Sequence, residues 1–226
     1  MKIFNNLSKV LFLLFAVSIL ALSSCKKDDP DVVVKGEAKI KVVNATLTEI
    51  EQDVYLDNVK VTGVALAFGE TSDYIKIPSG SRSVAYIGSN SANNTNASFN
   101  FTPAITYTAF LVANKSSVRE IVSYEDNLSN SEMDKAKVKL INLSPNFPTG
   151  INVSVQAGLQ FVNGLAYKEA SGYFTVDAGL NLRYSVVGSG NIKTIDNSNF
   201  VGGKIYTIWF SGTTAANLEA HIITDN

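Results

Sequence analysis

Cysteine, histidine and tryptophan each occur once in the chain of 226 residues, methionine twice and proline five times. A single cysteine excludes an intramolecular disulfide framework. One cysteine with one histidine also leaves a zinc site without its usual ligands, so neither a metal nor a cofactor is expected. Neither sign of charge dominates: 19 Lys and Arg face 20 Asp and Glu, for a net charge of −1, and no basic field exists to hold nucleic acid. No apolar run reaches the roughly 20 residues of a membrane-spanning helix. With 46% hydrophobic and 17% charged residues, the composition is globular and excludes collagen, a coiled coil and a wholly disordered chain.

What is present begins with an address. Lys2 and Lys9 form a short positive region, followed at 10–22 by an apolar stretch broken only by Ser18. That length suits the apolar segment of a secretory signal peptide, residues 1–24. Ala21-Leu22-Ser23-Ser24-Cys25 follows and resembles a bacterial lipobox, with Leu three before the only cysteine of the chain. The resemblance implies cleavage after Ser24 and lipidation of Cys25 on sulfur, with palmitate among the acyl chains. The alternative is an ordinary signal peptide that leaves Cys25 as a spare thiol. Acyl chains contribute about 0.8 kcal/mol per buried CH₂, so several of them anchor a protein without any transmembrane helix. Residues 25–35 carry Lys26-Lys27-Asp28-Asp29-Pro30-Asp31 and read as a flexible tether. The aspartates lack the spacing and glycine of a calcium loop. A cysteine followed closely by Lys and paired Asp resembles the start of Bacteroidetes surface lipoproteins, which implies an outer-membrane location facing the cell surface, with the periplasmic face as the alternative.

The rest of the chain repeats itself with a period of 98–100 residues. Ala38-Lys39-Ile40-Lys41-Val42-Val43-Asn44 recurs as Ala136-Lys137-Val138-Lys139-Leu140-Ile141-Asn142. Leu66-Ala67-Phe68 matches Leu165-Ala166-Tyr167, Glu70 matches Glu169, and Tyr74 matches Tyr173. Tyr107-Thr108 matches Tyr206-Thr207, and Asp126-Asn127 matches Asp225-Asn226. These matches predict two copies of one domain, at 36–126 and 136–226, joined by a linker at 127–135.

Within a copy the pattern is β throughout, with no 3.6-residue apolar stripe. Alternation over 38–43 places lysines on one face. Asp57-Asn58 between apolar runs predicts a hairpin, because both residues tolerate positive φ. Pro78-Ser79-Gly80 predicts a turn. Seven or eight short strands in about 90 residues, with regular turn signals, imply an antiparallel β-sandwich of immunoglobulin-like architecture in each copy. The fold class expected is therefore all-β, two tandem antiparallel immunoglobulin-like β-sandwich domains.

The residues that recur also carry a family resemblance. The opening strand of type Ala-Lys-Ile-Lys-Val-Val-Asn-Ala-Thr is followed by Asp53-Val54-Tyr55-Leu56-Asp57, then Phe68-Gly69-Glu70-Thr71-Ser72-Asp73-Tyr74, then Ile77-Pro78-Ser79-Gly80. This order resembles the bacterial envelope family called domain of unknown function 4397. The second copy departs from it where Ile151-Asn152-Val153 replaces the Asp-Val-Tyr element, Lys168 replaces Gly69 and Asp177 replaces Pro78. The resemblance implies a secreted or anchored β-domain and brings no catalytic residues with it.

A search for chemistry finds little. His221 is the sole imidazole, in an expected last strand where the first copy has Val122, and a catalytic role would need a nucleophile and an orienting carboxylate brought to it. Glu70 and Glu169 recur in both copies, which suits a loop role better than one asymmetric active site. Gly188-Ser189-Gly190 lacks the lysine of a phosphate loop and reads as a hairpin turn. Trp209 aligns with Phe110 in a strand apolar on both faces, the pattern of a buried central strand rather than a sugar-stacking platform. Tyr74 and Tyr173 are likewise assigned to packing. Polar loops at 89–96 and 191–199 are the expected place for any binding surface. The Asn-X-Ser/Thr triplets at Asn93 and Asn114 are read as coincidence. No catalytic residue is assigned. The function expected is a non-catalytic, lipid-anchored envelope protein serving binding, adhesion or spacing. A glycan-binding lipoprotein beside an outer-membrane transporter is one alternative, and a hydrolase with an unrecognised site is another. The expected partners are the membrane, through Cys25, and a protein or glycan of unknown identity.

Overall fold

The computed structural model describes residues 36–226, apart from 49, 89–93, 157 and 197–199. The signal peptide, Cys25 and the tether lie outside the described residues, as do Asn93 and parts of both polar loops. Sixteen strands and no helix make up the described chain.

The first eight strands are β1 (Glu37–Asn44), β2 (Gln52–Leu56), β3 (Val59–Lys60), β4 (Ile75–Pro78), β5 (Gly80–Gly88), β6 (Thr95–Phe101), β7 (Thr106–Ala113) and β8 (Arg119–Asp126). They form two four-stranded sheets of order β4-β1-β7-β8 and β3-β2-β5-β6. The next eight are β9 (Lys135–Asn142), β10 (Ile151–Val155), β11 (Gln160–Leu165), β12 (Ala170–Asp177), β13 (Leu182–Val186), β14 (Lys193–Ile195), β15 (Ile205–Ser211) and β16 (Glu219–Thr224). Their sheets, β12-β9-β15-β16 and β11-β10-β13-β14, repeat the first pair position for position. The protein is thus all-β, with two sandwich domains of one topology. Among the described residues every strand pairing is antiparallel except β1 with β7 and β9 with β15, where the first strand of each repeat runs parallel to the seventh.

Local chemistry explains the turns. Asp57 and Asn58 both take positive φ, 47° and 68°, which matches the right-handed twist of the β2–β3 hairpin. Gly80, at φ 93°, lets the chain pass from β4 into β5 directly after Pro78 and Ser79. Tyr107 and Tyr206 each accept a hydrogen bond from a backbone N–H five residues upstream, Thr102 at 3.1 Å and Val201 at 3.0 Å. This is the arrangement of a tyrosine corner, and it occurs in both repeats.

Strand alternation then sorts the side chains into three cores. Ala38, Ile40 and Val42 face Val54, Val84 and Tyr86 inside the first sandwich. Val138, Leu140 and Ile208 face Val153, Leu182 and Tyr184 inside the second. The third core lies between the repeats, where Val43, Phe110 and Val112 meet Ile141, Trp209 and Ile223. Each β7 and β15 is therefore buried on both faces, by its own sandwich on one side and by the other repeat on the other. The described residues of the two repeats consequently form one compact unit.

Candidate functional site

The seam between the repeats carries the unusual chemistry of the molecule. On β1 the even-numbered residues turn into the sandwich, so Lys41 shares the outer face with Val43. The same holds for Lys139 and Ile141 on β9. Docking of the repeats seals both lysines away from water, and their side chains are only 5% and 3% exposed.

Each lysine finds its partners in the opposite repeat. Lys41 Nζ donates to Asp225 Oδ1 and to the Thr224 carbonyl, both at 3.1 Å. Lys139 Nζ donates to the Glu125 carbonyl at 3.1 Å and pairs with Asp126 Oδ1. Lys41 corresponds to Lys139, and Asp126 to Asp225, so the two ion pairs are exchanged between repeats as in an isologous dimer. Within each repeat a threonine hydroxyl donates to the same aspartate: Thr108 to Asp126 Oδ2 at 2.6 Å, and Thr207 to Asp225 Oδ2 at 2.7 Å.

Two tyrosines close the network. The Tyr74 hydroxyl lies 3.0 Å from Asp126 Oδ2 and 3.3 Å from Asp225 Oδ1, and Lys41 Nζ sits 4.3 Å over its ring. The Tyr173 hydroxyl accepts from the Asn127 backbone at 3.1 Å, with Lys137 and Lys139 over its ring. Burial pushes both phenols well above their ordinary range, reinforced by the neighbouring aspartates. Burial also raises the Asp225 carboxyl, and Asp126 adds to that, while Thr207 and Lys41 pull it back. Two positive and two negative side chains in one dry site balance in charge, although in proteins generally a buried ion pair is often no more stabilising than apolar residues of like volume.

Further along the seam lies an aromatic cluster. Trp209 is fully buried, stacks on His221 at 3.9 Å and meets Phe68 and Phe110 edge-on. Its assignment to the core therefore holds, although the core in question is shared between the repeats. His221 Nε2 bonds the Ser211 hydroxyl at 2.8 Å, and burial holds the imidazole below its usual value. A serine bonded to a neutral imidazole is part of a nucleophilic site. Among the described residues, however, no carboxylate bonds the ring to orient it. The first repeat has Val112 and Val122 at the corresponding positions, where they simply fill the seam. Glu70 and Glu169 are spent as loop clasps, accepting from the Ala67 and Ala166 backbones at 2.8 and 2.7 Å.

Beyond Ser211 the seam opens into a cavity of about 410 Å³, walled by the loops after β1 and β9 and the turns after β7 and β15. Asn114, Lys115, Arg119 and Asn146 line it. Sequence reasoning could assign the lysines of β1 and β9 to an outer face. It had no signal that this face meets its own copy, because the partners are 184 residues away for Lys41 and 13 for Lys139.

No curated protein matches the sequence. Among solved structures, the chain is similar to CBMbc, a family CBM26 module of Eubacterium rectale Amy13K crystallised with maltoheptaose. That alignment spans 84% of this chain and 97% of the module, with 11% identity and a TM-score of 0.26, a likeness too loose to carry meaning for function. The family model of DUF4397, a domain of unknown function, matches residues 38–156, from the first strand of the first repeat through β10 of the second. Because that match covers more than half of the sequence, the chain belongs to the DUF4397 family.

Proposed function

We propose that this is a lipid-anchored protein of the cell envelope, held in the outer membrane through Cys25 and facing the cell surface. Its paired sandwiches act there as one rigid, non-catalytic module for binding, adhesion or spacing. The observation that carries this reading is the third core. Domains joined by a small polar contact move relative to one another, whereas a large apolar interface suppresses that motion. Here Phe110 and Trp209 are wholly buried where the repeats meet, so the two sandwiches act as a single body. Trp209, Tyr74 and Tyr173, the rings that could have served as a sugar platform, are occupied inside the seam. His221 is occupied by Ser211 and Trp209.

The test is protease shaving of intact cells, read with an antibody to the chain, with metabolic palmitate labelling in parallel. Wild-type protein should incorporate label and be degraded while a periplasmic marker survives. Cys25→Ala should lose the label and be released from the membrane fraction. Protection until the outer membrane is broken would overturn the surface location, and unlabelled wild-type protein would overturn the anchor.

A further inference from the structure

Four charges withdrawn from water at one place are costly, and their removal in favour of apolar residues is usually neutral or stabilising. Setting the register between the repeats would need one such pair. The chain keeps two, and Tyr74 links their carboxylates.

Lys41 Nζ stands 3.1 Å from Asp225 Oδ1, and the aspartate side chain is fully buried. An amine and a carboxyl group at this separation are the two reactants of amide formation, held at high effective concentration. Bulk water, which drives the reverse reaction, is shut out. A medium of low polarity also favours a neutral amine and acid over separated ions.

We propose that Lys41 and Asp225 condense into an isopeptide bond that covalently staples β1 of the first repeat to the end of the second. Proton transfer within the ion pair leaves a neutral amine and a carboxylic acid protonated on Oδ1. The Nζ lone pair attacks Cγ. The proton that Nζ then sheds passes to the departing hydroxyl by way of the Tyr74 hydroxyl, which reaches both Asp225 Oδ1 and Asp126 Oδ2, with Asp126 holding it in transit. The Cγ–Oδ1 bond breaks, the Cγ–Nζ bond remains, and one water leaves. Nothing is oxidised or reduced, and no co-reactant is needed. Thr207 donates to Oδ2 at 2.7 Å, where negative charge collects in the tetrahedral intermediate and where the amide oxygen stays. The burial that raises the Asp225 carboxyl works in the same direction, since the acid is the electrophilic form.

The second pair, Lys139 with Asp126, does not follow suit. Once Asp225 is an amide it can no longer exchange a proton, so Asp126 has no carboxylate to serve it as it served Asp225. One bond and one lost water are expected.

Tryptic digestion of the full chain, purified folded in detergent, decides the matter by mass spectrometry. No lysine or arginine lies inside 205–226, and Lys41 is the only one between 40 and 59. The wild-type digest should contain peptide 40–60 joined to 205–226, one water lighter than the two together and uncleaved after Lys41. Lys41→Arg keeps the charge and should release 205–226 as a free peptide, with circular dichroism confirming the fold. Asp126→Asn should do the same. Folded wild-type protein that yields only free 205–226 and cleavage after Lys41 overturns the bond. Linkage at wild-type yield in Asp126→Asn overturns the proton path.

Discussion

Truncating Phe110 tests whether the two repeats share one fate. Its ring is fully buried in the seam, with Tyr124 at 5.9 Å from its own repeat and Trp209 at 6.2 Å from the other. Phe110→Ala removes that ring from a site where close-packed strands on both sides limit collapse, a change that costs about 3–5 kcal/mol. With urea m-values of about 2–3 kcal/mol/M for a body of this size, the unfolding midpoint should fall by about 1–2.5 M. Trp209 is the only tryptophan and belongs to the second repeat, so its fluorescence reads the half of the molecule that was not mutated. The expected result is a single transition, shifted alike by fluorescence and by far-ultraviolet circular dichroism. A Trp209 transition left at the wild-type midpoint, beside an earlier one seen only by circular dichroism, would refute the shared core and with it the rigid module.

Native Trp209 should resist acrylamide quenching and become accessible only in denaturant; ready quenching of the folded protein would contradict its burial. Tyr107→Phe takes the acceptor from the Thr102 N–H and should cost about 0.5–1.5 kcal/mol in thermal or urea unfolding. Tyr206→Phe should cost a similar amount through Val201, and the two should add to within about 0.5 kcal/mol because the corners are far apart and share no partner. For pH, burial depresses the His221 pKa in the folded chain, so below about 6.5 the unfolded chain binds more protons than the folded one. The stability contributed by the neutral ring is therefore complete above that value and is lost as the pH falls toward the folded pKa. Urea midpoints between about pH 5 and 7 should fall with acid more steeply in wild type than in Ser211→Val/His221→Val, which copies the first repeat. Equal slopes would show that the ring is not held neutral by burial.

Much of the fold was legible because strands announce themselves locally. Alternation over 38–43 and its recurrence at 136–141 identified β1 and β9. Asp57-Asn58 marked a hairpin through the φ angles its residues tolerate, and the structure places both at positive φ. Trp209 read as buried because its strand is apolar at successive positions. The apolar character of both faces of β7 and β15 was in fact half of the seam's signature, since a strand in a lone two-layer sandwich has one face to give to solvent. The other half was hidden: Lys41 and Lys139 look like ordinary outward-facing charges, and nothing near them in sequence shows that water is excluded. Ser211 carried no signal either. It became noticeable only when β15 and β16 paired, bringing its hydroxyl to His221 across the hairpin.

By itself the sequence determined the repeat, most strands and turns of the first copy, the β-sandwich class and the family, because periodicity, backbone preference and composition are properties of neighbouring residues. The expectation of a lipid anchor at Cys25 rests on the same kind of local evidence. Only the tertiary structure decided that the copies dock face to face, that the lysines of one repeat answer the aspartates of the other, and that Tyr74 bridges two buried carboxylates. Those contacts join residues up to 184 positions apart, and their energies depend on a dry interior that exists only once both sandwiches have formed.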